Sequence, residues 1–234
     1  MTTTRQRARS EEDKARRREA LLEAAYALAA RTGVRDLTLA HVTRAAGLDP
    51  SGLRRYFSSR EELLLDLAES GMAAWAERLC ADLRDGRSRT LEELAHSITT
   101  TLAADPVLCD LCTHVALSLE GGVDIERARR YKTEAFKAYD AMCQALADAS
   151  NEIGVEEAQT VLAATMSLAG NFWQLSHPAP TLAALYEEVP RWGHAALSFE
   201  PRLEQLLTAL FRGLTAPGPT TGIHAQGTDE APGK

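Results

Sequence analysis

The sequence predicts an all-α fold. Alanine, leucine, glutamate and arginine, which are strong helix formers, dominate most of its 234 residues. Runs of β-branched residues are short, and apolar residues recur at the three- and four-residue spacing of amphipathic helices. Hydrophobic residues make up 45% of the chain and charged residues 25%, a composition typical of folded proteins with a buried core.

The first part of the chain is predicted to begin with one long helix and one short helix. The long helix spans about Ser10–Arg31 and ends before Gly33, because glycine adopts the left-handed conformation of a helix end most easily. Thr38 precedes the next periodic apolar residues. Its hydroxyl is a suitable N-cap, so a short helix is predicted at about 39–46.

A second short helix follows a glycine turn. Asp49 and Pro50 place an acceptor side chain at the N-cap and a proline at the first helical position, which predicts a helix at about 50–56. The run Ser59-Arg60-Glu61-Glu62 has the pattern of a capping box that begins the next helix. Two short helices between two longer ones form a helix-turn-helix domain, which we predict at residues 1–66.

The rest of the chain is predicted to form a larger helical domain at residues 67–215. Breaks that contain glycine or proline separate its periodic apolar stretches. The expected helices lie at about 60–84, 90–104, 106–120, 124–150, 155–175 and 200–214. The tail at 216–234 contains three prolines, four glycines and few apolar residues, so we predict that it is disordered.

Charge is distributed unevenly along the sequence. Residues 1–60 contain 13 lysines and arginines and 7 acidic residues, a net charge of +6, whereas the remaining residues have a net charge of −13. This asymmetry indicates a basic domain that contacts a polyanion and an acidic domain that does not. A basic segment can also be no more than a solvated surface, so charge alone leaves DNA binding open.

The segment 37–63 carries a specific motif, which reads Leu-Thr-Leu-Ala-His-Val-Thr-Arg-Ala-Ala-Gly-Leu-Asp-Pro-Ser-Gly-Leu-Arg-Arg-Tyr-Phe-Ser-Ser-Arg-Glu-Glu-Leu. The first 66 residues resemble the tetracycline-repressor (TetR) family, and the matching positions are Thr38, Ala46-Gly47, Asp49, Tyr56-Phe57 and Ser59-Arg60-Glu61. Residues 56–62 are also similar to a subgroup with an Arg-Tyr-Phe-x-Ser-Arg-Glu signature. The resemblance implies a ligand-responsive DNA-binding transcriptional regulator, most often a repressor. Such a protein binds a near-palindromic operator as a two-fold dimer and is released by a small-molecule effector.

The resemblance and the geometry of the major groove together imply the DNA contacts. A helix in this groove presents its N-terminal and outward side chains to base edges, and these are Pro50, Ser51, Gly52, Arg54 and Arg55. Arg54 stands where the family usually has a tyrosine, which leaves the contacted base sequence open. The remaining contacts implied by the family pattern, mostly to phosphate, come from Thr38, Arg44, Tyr56 and Arg60.

Other side chains of this region are assigned to packing or to the surface. The residues expected in the core are Val42, Leu48, Leu53 and Phe57. The arginines at 16–18 either add nonspecific DNA contacts or form a solvated helix face, and the sequence favours neither interpretation.

The four cysteines are too few and too scattered for a disulfide framework, and we expect them to be reduced. Cys109 and Cys112 are three residues apart, with His114 nearby, so a helix would put both sulfurs on one face. A metal or redox site is therefore an alternative. Because no second Cys/His pair follows at metal-binding spacing, we predict buried structural cysteines and no metal site.

An effector cavity is expected among the helices of the larger domain, lined by apolar side chains with a few polar groups. The candidates are Trp75, His114, Phe136, Tyr139, Met142, Met166 and Phe172. Each of these residues is, in the alternative interpretation, an ordinary core residue.

The resemblance implies a homodimer formed by the last two long helices, at about 155–175 and 200–214. Each helix carries an apolar stripe at helical spacing. The stripes are Leu162, Thr165, Met166, Ala169 and Trp173 in the first helix and Leu203, Leu206, Leu207, Leu210 and Leu214 in the second. Because periodicity does not distinguish an interface from a core, a tertiary core is the alternative.

The sequence contains no nucleophile elbow, His-Glu-x-x-His, phosphate loop or Gly-x-Gly-x-x-Gly motif, so we expect no catalytic residues and no cofactor. Its apolar stretches are too short to span a bilayer, and the N-terminus lacks the apolar core of a secretory signal. We expect a cytoplasmic protein with no membrane partner. The alternative function is that of a helical protein that binds a small molecule or a protein partner without contacting DNA.

Overall fold

A computed structural model describes residues 2–49, 55–195 and 198–216 of the chain. The predicted all-α fold is confirmed. The α-helices of the described residues are α1 (Thr2–Thr32), α2 (Leu39–Ala45), α3 (Arg60–Asp82), α4 (Leu91–Ala103), α5 (Pro106–His114), α6 (Ile125–Asp148), α7 (Val155–Ser176), α8 (Pro180–Glu188) and α9 (Phe199–Thr215). Most of the predicted recognition helix, at 50–54, and the tail from 217 onward lie outside the described residues.

The helix ends predicted near the N-terminus are present. α1 begins at Thr2, earlier than the predicted Ser10, and ends before Gly33, which has a φ of +80°. The Thr38 hydroxyl caps α2 by accepting a hydrogen bond from the His41 amide at 3.2 Å. Gly47 follows α2 with a φ of +64°, a conformation that side chains with a Cβ rarely adopt.

The start of α3 is capped in a way that differs slightly from the prediction. The Ser59 hydroxyl accepts a hydrogen bond from the Glu62 amide at 3.1 Å, as expected for an N-cap. The Glu62 carboxylate, however, accepts hydrogen bonds from the amide and the hydroxyl of Ser58, each at 2.6 Å. The reciprocal half of the capping box is therefore displaced by one residue toward the N-terminus.

Two hydrophobic clusters hold the helices together. The N-terminal cluster consists of the buried side chains Leu21, Ala25, Ala29, Val34, Leu37, Val42, Phe57, Leu63, Leu64, Leu65, Leu67, Ala68, Val107, Leu111, Leu119 and Tyr131. Val42 and Phe57 are thus core residues, as predicted, and Leu48 packs at the edge of the cluster, whereas Leu53 lies outside the described residues. Because α5 and α6 contribute Val107, Leu111 and Tyr131, the N-terminal helices share their core with the helices that follow.

The second cluster fills the rest of the molecule. It packs the second half of α3 and α4 against α6, α7 and α9. Trp75 and Phe211 are its largest fully buried side chains. Complete burial of such large apolar surfaces contributes most of the stabilisation of a helical core.

Three stretches depart from the predicted helices. The helix expected at 106–120 is α-helical only to His114, and a π-helical turn, Val115–Leu119, follows it. Pro180 was interpreted as part of a break, but it occupies the first turn of α8, where its missing N–H costs no hydrogen bond. A short 3-10 helix, Pro190–Ala195, then leads toward α9.

Candidate functional site

The N-terminal helices present polar and basic side chains at their surface. Arg44, in the last turn of α2, and Arg55 are exposed, and so is Thr38 at the start of α2. These three side chains are accessible to a phosphate backbone. The other residues predicted to read bases lie outside the described residues, and they are Pro50, Ser51, Gly52 and Arg54.

Arg60 is bound to the loop between α1 and α2. Its Nε donates a hydrogen bond to the Leu37 carbonyl at 2.6 Å, and its Nη2 donates to the carbonyls of Val34 at 2.8 Å and Arg35 at 3.2 Å. These bonds fix the loop against the first turn of α3. A phosphate contact by Arg60 stays a prediction, and the geometry favours a structural role.

The arginines at 16–18 divide into two groups. Arg16 and Arg17 are exposed, and Arg16 lies 3.2 Å from Asp13 on the same helix, as expected for a solvated helix face. Arg18 instead forms an ion pair with the buried Asp66 of α3 and lies 4.9 Å from the centre of the Phe57 ring. The Arg18 side chain is therefore half-buried and joins α1 to α3, and sequence periodicity gave no indication of this.

A cavity of about 460 Å³ lies between α3, the C-terminal end of α5, α6 and α7, and we call it the α6–α7 cavity. Its lining residues are Met72, Cys112, Val115, Glu120, Tyr131, Lys132, Ala135, Phe136, Tyr139, Ala163, Met166 and Ser167. Three of the predicted ligand-binding residues, Phe136, Tyr139 and Met166, are among them. Tyr139 also joins α6 to α7, because its hydroxyl donates a hydrogen bond to the Gln159 carbonyl at 2.5 Å.

Three other predicted ligand-binding residues do not line this cavity. Trp75 is fully buried in the second cluster, where its indole N–H donates a hydrogen bond to the Thr101 hydroxyl at 3.1 Å. Met142 is buried in the same cluster, and Phe172 packs against it while half-buried. These three side chains therefore belong to the core, as the alternative interpretation of the sequence expected.

The polar groups of the α6–α7 cavity come mainly from α6. Lys132 Nζ lies 2.7 Å from Glu120 Oε1, so an ion pair joins α6 to the short 3-10 helix, Glu120–Gly122, that precedes it. Tyr131 is buried at the cavity wall, and this burial raises the pKa of its hydroxyl well above the ordinary value. Because the phenol stays protonated, the cavity offers an apolar surface with a hydroxyl and one paired cation.

His114, the last of the predicted ligand-binding residues, belongs to a junction around Asp110 of α5. Asp110 Oδ2 accepts a hydrogen bond from the Val34 amide at 2.7 Å, and Oδ1 accepts one from Gln174 Nε2 of α7 at 2.6 Å. His114 Nε2 lies 3.6 Å from Oδ1. Burial alone would raise the pKa of Asp110, but the neighbouring His114 imidazole and the hydrogen bonds from the Val34 amide and Gln174 outweigh it and lower the pKa.

The cysteines near this junction are thiols in apolar surroundings. Burial raises the pKa of the Cys112 thiol to about 12 and that of Cys109 still further. Thiols of this kind are poor nucleophiles and poor metal ligands at neutral pH. Among the described residues, no three His, Cys, Asp or Glu side chains lie close enough to hold a metal ion.

The apolar stripes proposed for dimerisation are corrected in part by the structure. The residues that are completely buried within the single chain are Leu162, Thr165, Ala169, Leu203 and Leu207. They pack α7 and α9 together and against α4, so they form tertiary core rather than an interface. Leu206 and Leu210 are only half-buried, and Leu214 is exposed, so the outer face of α9 remains available.

No helix in the described parts of the chain combines the length and the hydrophobicity that crossing a bilayer requires.

Both parts of the chain match known families. Residues 21–67 match the family described as bacterial regulatory proteins, tetR family, and residues 69–218 match the tetracyclin repressor-like, C-terminal domain. A comparison with curated proteins found no significant match.

The fold is similar to those of several solved regulators. FadR from Thermus thermophilus, a TetR family transcriptional repressor in complex with lauroyl-CoA, is 18% identical, has a TM-score of 0.52, and aligns over 93% of this chain and 100% of its own. A TetR transcriptional regulator from Rhodococcus sp. RHA1 is 15% identical, with a TM-score of 0.51 over 86% and 95% of the two chains. The fatty acid degradation regulator FadR from Bacillus halodurans is 16% identical, with a TM-score of 0.50 over 86% and 95%. At these identities the similarity supports the fold alone.

Proposed function

Because this chain belongs to the tetR family of bacterial regulatory proteins, we propose that it binds a near-palindromic operator as a two-fold homodimer and releases it when a small molecule fills the α6–α7 cavity. The chain is a ligand-responsive DNA-binding transcriptional regulator. The family match over both parts of the sequence is the observation on which the proposal depends. We further propose that it acts as a repressor and without catalysis.

The DNA-binding end in this proposal is the domain at residues 1–66. Its net positive charge over residues 1–60 and the exposed side chains of Arg44 and Arg55 support it, because phosphate contacts supply most of the affinity of such domains. Base reading is assigned to the segment 50–56, and phosphate contacts to Thr38, Arg44 and Tyr56. DNA is the partner, so we place the protein in the cytoplasm.

The dimer interface is proposed on the outer faces of α7 and α9. The core faces of these helices are occupied within the chain, but Leu168 and Leu175 of α7 and Leu206, Leu210 and Leu214 of α9 are half-buried or exposed. An operator of two inverted half-sites requires a two-fold dimer that presents both N-terminal domains on the same side.

The effector is proposed to be a mainly apolar molecule with one polar end. Met72, Val115, Phe136 and Met166 provide apolar surface to the cavity, and Lys132 provides a cation at its wall. The acyl chain of lauroyl-CoA, which the Thermus thermophilus structure contains, supplies such apolar surface, and its coenzyme A group is a large anionic end; we use lauroyl-CoA as the probe compound.

Two finer assignments belong to the same proposal. The domain at residues 67–215 carries the cavity and the interface, and the tail at 216–234 is assigned no role. We also propose that the chain belongs to the subgroup defined by an Arg-Tyr-Phe-x-Ser-Arg-Glu signature, to which residues 56–62 are similar.

Titration of the full chain with duplexes enriched from random DNA tests the proposal. Arg44→Ala and Arg55→Ala are expected to weaken binding by at least about 10-fold and to release about one counterion fewer for each phosphate that is no longer neutralised. Arg84→Ala, an exposed arginine beyond the C-terminal end of α3, is the matched control and should bind like wild type. Lauroyl-CoA should release the bound duplex.

Two results would count against separate parts of the proposal. If the Arg44 and Arg55 variants bind with the affinity and salt dependence of the control, the N-terminal surface is not the DNA-binding surface. If lauroyl-CoA leaves the complex intact, the proposed effector chemistry is wrong, whereas DNA binding itself is unaffected by that result.

A further inference from the structure

We infer that a buried charge cluster centred on Asp66 sets the position of the DNA-binding end relative to the cavity helix α6, and so acts as a positioning element for operator recognition. The inference rests on the proposed function. We call the group of Arg18, Asp66, Glu69, Arg127 and Arg130 the Asp66 cluster.

The Asp66 cluster joins three helices that are distant in sequence. Asp66 of α3 is only 5% exposed, and its Oδ1 accepts a hydrogen bond from Arg127 Nη2 of α6 at 2.6 Å. Arg130 of α6 lies 3.5 Å from the same oxygen, and Arg18 of α1 pairs with Oδ2. Arg127 Nη1 also lies 3.0 Å from Glu69 of α3. A single carboxylate therefore binds α1 and α6 at the same time.

On the DNA side, Arg18 connects the cluster to the region next to the recognition segment. Its guanidinium lies over the Phe57 ring, and Phe57 follows directly after Arg55 and Tyr56. A cation held over an aromatic face fixes the ring as well as the charge. A shift of Asp66 relative to α1 would thus change the packing of Phe57, which follows the segment that is proposed to enter the groove.

On the cavity side, the cluster lies on the same helix as the cavity wall. Arg127 precedes Tyr131 by one helical turn, and Tyr131 and Lys132 line the α6–α7 cavity. Residues one turn apart share one stretch of helix backbone, so a molecule that shifts α6 at Tyr131 or Lys132 also shifts Arg127.

The Asp66 cluster is suited to change because its charges are incompletely hydrogen-bonded. Among the described residues, Asp66 Oδ2, Glu69 Oε2, and Nε and Nη1 of Arg127 are buried without a hydrogen bond, although ion pairs surround them. Desolvation offsets much of the Coulombic gain of a buried ion pair, so these pairs add little net stability beyond the one hydrogen bond from Arg127 to Asp66. A polar cavity of about 550 Å³, lined in part by Lys14, Arg18 and Asp66, adjoins the cluster and leaves room for rearrangement.

The test measures the distance between the two DNA-binding ends of the dimer by pulsed electron spin resonance. A nitroxide is attached at Ala40→Cys on the exposed side of α2, in a Cys80→Ser, Cys112→Ser background because these two cysteines are half-buried. Cys109 and Cys143 are buried, and burial raises the pKa of both thiols, so they react slowly with the label. Operator affinity and thermal unfolding are measured on the same proteins without the label.

Asp66→Asn and Arg18→Gln are expected to broaden or shift the distance distribution and to weaken operator binding by about 10-fold or more. Arg18 is one-third exposed, so Arg18→Gln should fold even if Asp66→Asn does not. Arg18→Lys keeps the charge and should restore the wild-type distribution. Glu126→Gln, which removes an exposed ion pair of the same helix, is the matched control and should behave as wild type.

A merely structural role would lower the unfolding temperature and leave the distance distribution of the folded dimer unchanged, and this result would overturn the inference. Wild-type behaviour of Arg18→Gln in both distance and affinity would do the same. If wild-type protein shows no distance between two labels, the proposed dimer is wrong and the inference fails with it.

Discussion

Two buried carboxylates, Asp66 and Asp110, hold the N-terminal helices against the rest of the molecule. Asp66 accepts one hydrogen bond, from Arg127, and otherwise forms ion pairs with arginines, whereas both oxygens of Asp110 accept hydrogen bonds, one from the Val34 amide and one from Gln174. Hydrogen bonds to a carboxylate are directional and fix both partners, while ion pairs tolerate displacement. At the scale of residues, we therefore interpret Asp110 as the fixed joint and Asp66 as the adjustable one.

Asp110→Asn is expected to lower the free energy of unfolding at neutral pH by about 1–3 kcal/mol, because a buried charge-assisted acceptor is removed. The pKa of Asp110 is lowered by folding, so its contribution is complete above the ordinary value of 3.8 and is lost as the pH falls through the folded value. Urea unfolding over this pH range should show that the variant lacks this part of the acid dependence. Asp140→Asn on the exposed side of α6 is the control, and equal stability of Asp110→Asn and wild type would contradict the account.

The sequence identified side chains of the cavity only where they were large. Phe136, Tyr139 and Met166 were predicted because aromatic and methionine side chains are common in apolar pockets. Tyr131 and Lys132 were missed, although they precede Tyr139 by about two turns of the same helix. Which face of α6 meets the cavity depends on the packing of α5 and α7, and a single sequence does not contain that information.

At the scale of elements, α5 and α7 cross in close contact at Gly170. A Cβ atom at this position would lie 2.5 Å from the Thr113 hydroxyl oxygen and 2.6 Å from the Thr113 amide nitrogen. The π-helical turn that places Val115 at the cavity begins directly after this crossing, at the end of α5. Such turns often mark functional positions in helices. The close approach therefore positions one wall of the cavity.

Gly170→Ala is expected to destabilise the protein. Alanine favours a helix over glycine by about 1 kcal/mol, but overpacking costs about 1–3 kcal/mol, and backbone atoms cannot move aside as a flexible side chain can. Adding Thr113→Ala should rescue stability only in part, because the Thr113 amide still obstructs the new methyl group. Thermal unfolding measures both effects, and an unchanged or higher unfolding temperature for Gly170→Ala would show that the helices separate without cost.

The elements that the sequence predicted well are those with a local chemical signal. Thr38, Gly47 and Ser59 mark helix ends through caps and a left-handed backbone, and all three act as expected. The π-helical turn was missed because it depends on tertiary packing. α8 was missed because the sequence signal at its start is ambiguous. A proline such as Pro180 can either end a helix or begin one, and its context in the fold decides.

At the scale of the whole molecule, the division of charge coincides with the division of function that we propose. The basic first 60 residues carry the proposed DNA surface, and the acidic remainder carries the cavity and the outer faces of α7 and α9. Composition predicted this division. It did not predict the shared core, because Tyr131 and Leu111 enter the N-terminal cluster only when the helices are assembled.

Leu206→Glu is expected to convert the dimer to a monomer, because a charge at the centre of an apolar interface is left without a partner. Gln205→Glu, the adjacent residue on an exposed face of α9, is the matched control and should remain dimeric. Molar mass from light scattering over a concentration series distinguishes the two states. A Leu206→Glu protein with the mass of the wild type would place the interface elsewhere.

Enrichment of bound sequences from random DNA tests the central claim most directly. One experiment shows both whether the protein is a sequence-specific DNA-binding protein and whether its DNA site is symmetric. The account predicts two inverted half-sites with centres about 10 base pairs, or a multiple of one helical turn, apart. It also predicts that Leu206→Glu enriches these sites far less than Gln205→Glu does. Enrichment of a single half-site without a symmetric partner, or of no sequence at all, would contradict it.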